Sequence, residues 1–548
     1  MEFHIKVFAV VVLASLLPIY VSSDIFASMV DVETLMDTEK NLLDILRETA
    51  QKEIEKLTLA KRYISKFKKA YNSHVDDTWE DIATSPIKAF QFIKHVTADW
   101  KLMSTKIEES IVNDRTASVR LLRSERRFPD EDDIKGSALA FNRLQNTYKI
   151  QPRDIAYGKV PGTRRTPAFT SREAFIVGHQ QALEKQFNSA SAWLEVSLDI
   201  FNTETVKTQT HTELLDWLQY SIFHDSGNAY RALELMKDIQ KIDPTYANIP
   251  DNLKTYGGIV ENGTAAELER MKSEVIQPKY IDDHYAALCR GEDLMDPELS
   301  RDLVCYLETY DNPYLLIQPV KLELANLDPV VYVVYNAILD SQAERIKKIG
   351  PQHLFRAKVI AQNSTQGVNS DTRISKIAFL EESVDEVIKT VNAYTGHATN
   401  LNASLAEHLQ INNYGVGGYY YSHYDFFRDK EGVGHHLIES KKGDRIATFL
   451  MYMSDVESGG ATVFPHLNVT LFPVKGAAAF WYNLHMDGEP DQRTLHSGCP
   501  VLSGMKWVSN KWFREGGQYV TRPCALFQDS PEPEPNVVSA NTIVVASA

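Results

Sequence analysis

Cysteine is scarce in this chain: 548 residues hold only Cys289, Cys305, Cys499 and Cys524, and no two stand in a C-x-x-C pair. That spacing argues against a structural zinc site built from four thiolates. Basic residues are also short, with 58 Lys and Arg against 73 Asp and Glu and a formal net charge of -15. A nucleic-acid binder needs basic surface to displace counterions from phosphates, so that class is excluded. Beyond the first residues no apolar run is long enough for a helix to span a bilayer, so no membrane span is expected. The carboxyl end has neither K-D-E-L nor H-D-E-L, so retention in a secretory lumen would depend on something else.

What is present at the amino end is a leader pattern. "MEFHIKVFAVVVLASLLPIYVSSD" carries Lys6, an apolar run from Val7 to Leu17, and then Val21 and Ser23 suitably placed before a cut. This reads as a secretory signal over residues 1–23. In that compartment the four cysteines are expected to form disulfides. Three pairings are possible, and proximity along the chain favours Cys289 with Cys305 and Cys499 with Cys524. Sequons at Asn262, Asn363, Asn402 and Asn468 are compatible with glycosylation.

The length implies several domains, roughly two to four, and the texture of the sequence divides it into a multidomain α + β chain. Residues 24–160 are expected to form a helical region. Within it the stretch from Leu35 to Tyr71 has no glycine or proline and repeats Leu43, Leu46, Ala50, Leu57, Ala60, Ile64, Phe67 and Tyr71 at heptad-like intervals. A dimerising coiled coil and a helix packed inside its own domain both fit that pattern. "RDIAYGKVPGTRRTPAFTSREAF" reads as a linker. Residues 170–260 follow as two helical hairpins of related spacing. Gly178 and Ala190 lie twelve apart, as do Tyr220 and Ala232, with Gly227 between the second pair, which resembles the tetratricopeptide (TPR) repeat. Trp217 and Tyr220 are candidates for holding an extended peptide there, with core packing as the default for aromatics at helical spacing. Residues 330–525 are short β-branched and aromatic runs punctuated by Gly, Pro and Asn, the pattern of an antiparallel double-sheet jelly roll, or double-stranded β-helix. Residues 527–548 read as a disordered tail.

Three H-x-D triplets occur, at His74–Asp76, His423–Asp425 and His485–Asp487. On a strand, period-two alternation puts both members of such a triplet on one face. A non-haem iron site takes two imidazoles and one carboxylate and leaves positions open for other ligands. His423 and Asp425 in "YYYSHYDFFRDK" have a distant complement: His496 lies 73 residues on in a β-rich region, and Lys506 ten residues further. A lysine so placed offers a point charge to a co-substrate carboxylate. The other two triplets lack such company.

With this spacing, "NYGVGGYY", "GDRIATFLMYMSDVESGGATVFP", "GAAAFWYNL" and "CPVLSGMKWVSNKW" resemble the catalytic domain of the collagen prolyl 4-hydroxylase α subunits, within the Fe(II)- and 2-oxoglutarate-dependent dioxygenases. The order of leader, helical region, two-hairpin domain and barrel is similar over nearly the whole chain. The resemblance implies that His423, Asp425 and His496 bind Fe(II) and that Lys506, the candidate catalytic lysine, pairs with the distal carboxylate of 2-oxoglutarate. It implies Tyr414 and Thr448 as further contacts to that carboxylate. Tyr420 and Trp512 would line the proline pocket or pack as ordinary core aromatics.

The activity so implied is hydroxylation of the 4-carbon of prolyl residues in procollagen-like peptides, releasing succinate and carbon dioxide, with ascorbate restoring iron after uncoupled turnover. The implied setting is the endoplasmic reticulum lumen, with protein disulfide isomerase as β subunit in an α2β2 tetramer. The helical pair would bind polyproline-like peptide, a task suited to stacked aromatics. Asn252 keeps the family pattern there, while Asn248 stands where an arginine is expected and Thr255 where an aromatic is. The alternatives are a hydroxylase of another secreted protein and a noncatalytic procollagen-binding chaperone, against which the intact ligand set and Lys506 argue.

Overall fold

The computed structural model describes residues 25–50, 61–65, 82–108, 128–163, 166–247, 249–280, 283–360, 367–369, 372–428 and 442–527. The leader, His74–Asp76, Leu57, Ala60, Phe67, Tyr71, Asn248, Asn363 and the tail beyond residue 527 lie outside them. No described helix is long and apolar enough to cross a membrane.

The amino-terminal region is helical, as expected. Helix α1 (Met29–Ala50) buries Met29, Val32, Leu35 and Leu42. These three- and seven-residue steps give one apolar stripe, and it packs on Ala89, Ile93, Val96 and Trp100 of the same chain. The first half of the glycine-free stretch therefore covers its own domain. Helices α2 (Pro86–Lys94) and α3 (Trp100–Glu108) flank a π-turn at His95–Asp99. Helix α4 (Glu131–Tyr148) starts on a capping box between Asp130 and Asp133, which satisfies amide donors that the first turn would leave open. The stretch read as a linker is packed rather than loose: Val160 and Phe169 are buried and Pro152–Ala156 is a short helix.

The two hairpins are α5 (Ser171–Leu183) with α6 (Phe187–Thr203), and α7 (His211–Ser226) with α8 (Ala229–Ile242); α9 (Ile249–Asn262) closes the set. Gly178 lies against Leu194 and the Ala190 carbonyl, where a β-carbon would collide. Gly227 ends α7 at φ 71°, the left-handed conformation that costs glycine least. A short helix α10 (His284–Cys289) leads into the β domain.

That domain begins earlier than residue 330. Strands β1 (Cys305–Glu308) and β2 (Val320–Leu327) join β3 (Val330–Tyr335), β4 (Phe355–Arg356), β5 (Ser375–Leu380), β6 (Leu409–Tyr414), β8 (Arg445–Tyr452), β11 (Ala478–Tyr482) and β13 (Trp507–Arg514). Together they make a nine-stranded antiparallel sheet in the order β1-β2-β3-β11-β8-β13-β6-β5-β4. Opposite it lies a four-stranded sheet, β10-β9-β12-β7, built from β7 (Tyr420–His423), β9 (Thr462–Phe464), β10 (Val469–Leu471) and β12 (His496–Gly498). This is the expected jelly-roll pairing of sheets. Helices α11 (Asp340–Ile349) and α12 (Glu386–Thr399) bury Ala343, Ile346, Ile388 and Val391 against Ile411, Phe449 and Phe480.

The disulfide expectation is corrected. Cys289 at the end of α10 pairs with Cys499, just after β12, with Cα atoms 5.6 Å apart. Cys305 and Cys524 are thiols. Distance along the chain misled because α10 folds against β9 and β10 of the smaller sheet, 210 residues away in sequence from its partner. Non-reducing peptide mapping should recover the Cys289–Cys499 cross-link and find Cys305 and Cys524 open to alkylation. Cys499→Ala should cost about 2–5 kcal/mol of stability in denaturant titration, with Cys524→Ala, on the surface, within about 0.5 kcal/mol.

Candidate metal centre

Three donors meet where the smaller sheet faces the larger. β7 and β12 run antiparallel with His423 directly opposite His496, and Asp425 follows β7 by two residues. Asp425 Oδ1 lies 3.9 Å from His423 Nε2, and Asp425 Oδ2 lies 3.6 Å from His496 Nε2. All three donor atoms fall within 4.8 Å of one another, and no other His, Cys, Asp or Glu group among the described residues could hold a metal in this way.

Backbone carbonyls orient both imidazoles. His423 Nδ1 donates to the Tyr421 carbonyl at 2.8 Å and His496 Nδ1 to the Thr494 carbonyl at 3.0 Å. With the proton held on Nδ1, each Nε2 lone pair is free to face a metal. Burial, reinforced by neighbouring His496, holds His423 well below the usual imidazole range, so it stays neutral. Burial would raise the Asp425 carboxyl, but His496, His423 and Arg445 outweigh it and bring the group down to about 2. Two imidazoles and one carboxylate on one side of a point are the donor set of a facial non-haem Fe(II) site.

Thr448, expected as a co-substrate contact, is bonded to this cluster. Its hydroxyl donates to Asp425 Oδ2 at 2.7 Å and accepts from Asn483 Nδ2 at 3.0 Å. On the inner face of β8, its short side chain reaches the carboxylate beside it.

Lys506 and Tyr414 lie together on adjoining strands, where Tyr414 N donates to the Lys506 carbonyl at 3.2 Å. The Lys506 ammonium is buried, stands 4.9 Å from the Tyr414 ring centre and donates to the Gly460 carbonyl at 2.6 Å. No ion pair to a carboxylate joins it among the described residues, and burial lowers it to about 7. Gly498, two residues beyond His496, opens the space between: a β-carbon there would lie 3.5 Å from the Tyr414 hydroxyl and 3.8 Å from Lys506 Nζ. A buried lysine, a tyrosine hydroxyl kept protonated by burial, which pushes it up to about 12, and a glycine-shaped cradle beside the three metal donors would suit one end of a dicarboxylate.

Tyr420 stacks on His423 with ring centres 3.5 Å apart, and Arg373 lies over Tyr420 at 4.3 Å. Trp512 is buried beneath the Arg445 guanidinium at 3.7 Å. Arg445 is clamped by Glu407, at 2.7 and 2.8 Å, and Glu407 also accepts from Arg514. Sequence reasoning missed Arg373, Arg445 and Glu407. Arg445 opens the otherwise apolar strand β8, a signal that needs the register to be read, whereas Arg373 and Glu407 stand outside the named strands, where local pattern does not mark them.

In the hairpin domain, Trp217 is partly buried and meets His179 at 4.2 Å and Tyr220 at 5.8 Å. Tyr220, 39 % exposed, also contacts Phe187 and His224, so an aromatic row does run along this face. Asn252 turns inward, with Nδ2 3.9 Å from Met236 Sδ, and Thr255 is exposed and bonded to its own helix at the Asp251 carbonyl. Asn262 and Asn402 are exposed, whereas Asn468 is half-buried and accepts from His284 Nε2 at 2.7 Å.

Comparison with known proteins follows the same divisions. Residues 28–162 match the family described as prolyl 4-hydroxylase alpha-subunit, N-terminal region, residues 171–262 the prolyl 4-hydroxylase peptide-substrate-binding domain, and residues 409–514 the 2OG-Fe(II) oxygenase superfamily. Prolyl 4-hydroxylase subunit alpha-2 of Caenorhabditis elegans is 36% identical over 534 residues, covering 95% of this chain and 97% of that protein. Its Gallus gallus namesake is 34% identical over 519 residues, covering 92% and 96%. A viral collagen prolyl hydroxylase from Paramecium bursaria chlorella virus-1, solved with 2OG, is 25% identical, covering 34% of this chain and 95% of that one at a TM-score of 0.27.

If Thr448 holds the Asp425 carboxylate in place, Thr448→Val should weaken Fe(II) or Co(II) binding by about 10- to 100-fold without unfolding the barrel. Anaerobic titration calorimetry beside a thermal melt reads both.

Proposed function

The chain belongs to the prolyl 4-hydroxylase α-subunit family, and from that premise we propose that His423, Asp425 and His496 hold its Fe(II), with Lys506 and Tyr414 receiving the distal carboxylate of 2-oxoglutarate. It is a 2-oxoglutarate-dependent prolyl 4-hydroxylase acting on proline-rich peptide. The observation that carries the residue assignment is the convergence of two imidazoles and a carboxylate beside a buried lysine without a carboxylate partner among the described residues.

Ferrous iron held by His423, Asp425 and His496 would supply, with 2-oxoglutarate and O2, the oxidising power for hydroxylation, the co-substrate leaving as succinate and carbon dioxide. The chain's own residues do the rest. The Lys506 ammonium neutralises the carboxylate that would otherwise be buried bare. Thr448 fixes the Asp425 oxygen, and the carbonyls of Tyr421 and Thr494 fix the imidazoles. Tyr420, Arg445 and Trp512 form the wall against which a prolyl ring would be held, and their packing keeps water from the reacting carbon.

Further proposals extend this reading. The substrate is collagen-like, gripped on the aromatic row of Trp217 and Tyr220, with Asn248 and Thr255 setting a peptide preference unlike that of relatives bearing arginine and an aromatic there. Ascorbate returns iron to the ferrous state. Residues 1–23 direct the chain to the endoplasmic reticulum lumen, where protein disulfide isomerase is its partner and Asn262 and Asn402, being exposed, are the favoured glycosylation sites.

Succinate and 4-hydroxyproline formation on a Pro-Pro-Gly peptide by the assembled protein should vanish in His423→Ala; iron-dependent turnover surviving that change would sink the metal assignment. Lys506→Ala removes a charge-assisted hydrogen bond of about 1.5–3 kcal/mol, which is roughly a 10- to 150-fold loss of 2-oxoglutarate affinity. Because the ammonium form attracts the carboxylate and burial lowers Lys506 to about 7, affinity should be full below that pH and fall as pH rises through it. The alkaline limb of kcat/KM for 2-oxoglutarate measures this, and Lys506→Arg, which stays charged, should flatten it.

A further inference from the structure

The first described residues of the chain do not end in solvent. Ile25, Phe26, Ala27 and Ser28 are all buried, and they lie across the turn that joins β6 to β7, the strand ending at His423. Val416 N donates to the Phe26 carbonyl at 3.1 Å. Ser28 Oγ donates to Asn413 Oδ1 at 2.8 Å, and Val30 N reaches the same oxygen at 3.3 Å. Asp31 pairs with the buried Lys376 ammonium of β5 at 2.6 Å, directly across the ladder from Asn413. From the other side Phe26 N donates to Asp133 of α4 at 3.0 Å.

Asn413 precedes Tyr414, and alternate residues of a strand face opposite ways. The segment therefore grips the outer face of the strand whose inner face presents Tyr414 beside Lys506. The turn is also shaped to receive it. A β-carbon on Gly415 would overlap the Phe26 carbonyl and the Ala27 backbone, although Gly415 has no left-handed φ requiring glycine. Glycine at 415 is explained by this close approach.

We propose that residues 25–31 are a positioning clasp for the co-substrate pocket. They touch no reacting atom; they hold the end of β6 and the following turn so that Tyr414 keeps its place beside Lys506. This rests on the co-substrate reading of Tyr414 and Lys506 given above. Loosening the clasp should then weaken 2-oxoglutarate binding more than it slows turnover. A role in stability alone would lower the melting temperature and leave KM untouched.

The test uses the full assembled protein. Ser28→Ala/Asp31→Asn should raise KM for 2-oxoglutarate about 2- to 30-fold, the range of coupling through packed elements, with kcat at saturating co-substrate and KM for peptide little changed. Ser28→Thr/Asp31→Glu, which keeps the hydroxyl and the charge, should recover most of the loss. Gly415→Ala should give the same KM effect by unseating Phe26. Combined with Ser28→Ala/Asp31→Asn it should add little further, because both changes break one contact. An unchanged KM for 2-oxoglutarate in both variants, with Lys506→Ala still impaired, overturns the clasp alone. If Lys506→Ala is itself unimpaired, the pocket reading fails and the clasp falls with it.

Discussion

The register of β7 against β12 is the constraint on which the centre depends. His423 and His496 are far apart in sequence, yet they are cross-strand neighbours because the smaller sheet pairs them directly. A slip of either strand by one residue would turn its imidazole away from the interior and from its partner. Each histidine donates to the carbonyl of the residue two before it, Tyr421 or Thr494, so the backbone leading into the pairing also sets the ring orientation. Asp425, Thr448 and the lysine pocket are arranged around a point that this pairing defines.

The electrostatics of the surroundings follow from burying charge in a barrel. Arg445, Glu407 and Arg514 form a closed set beneath Trp512, and Glu407 is held below its usual range because the two guanidiniums outweigh its burial. Lys506 is treated differently, with only a backbone oxygen for company. A buried arginine that is already paired has its charge satisfied within the protein, whereas a buried lysine without a carboxylate keeps its charge available for an anion.

Much of this was legible in sequence, and the parts that were not share a cause. His423, Asp425, His496 and Lys506 stand out because metal chemistry fixes residue type and strands fix spacing. The hairpin domain was legible because close packing demands small residues such as Gly178 and Ala232 at regular steps. The cysteine pairing was not, since it depends on where α10 comes to rest. The bond from Thr448 to Asp425 was not legible either, because a hydroxyl has several plausible acceptors until its neighbours are placed. The start of the β domain was placed late because "CYLE" and "VKLELANL" mix charge into strands at the end of the sheet. The role of Phe26 and Ser28 rests on contacts across nearly 400 residues, of which local pattern carries no trace.

Helix α4 has two sets of neighbours. Phe141 and Leu144 join Val177 and Trp193 in one core, and Trp193 Nε1 donates to Gln145 at 3.1 Å. From the same helix Arg143 reaches the Gly417 carbonyl and Tyr148 the Pro500 carbonyl, both in the β domain. The hairpin domain and the barrel thus share one packed helix in place of a flexible tether. A flexible linker lets any substrate of sufficient reach gain from double engagement, whereas a fixed span rewards only chains stiff and long enough to match it. The polyproline helix, extended at about 3.1 Å per residue without internal hydrogen bonds, is the kind of chain that such a span would suit.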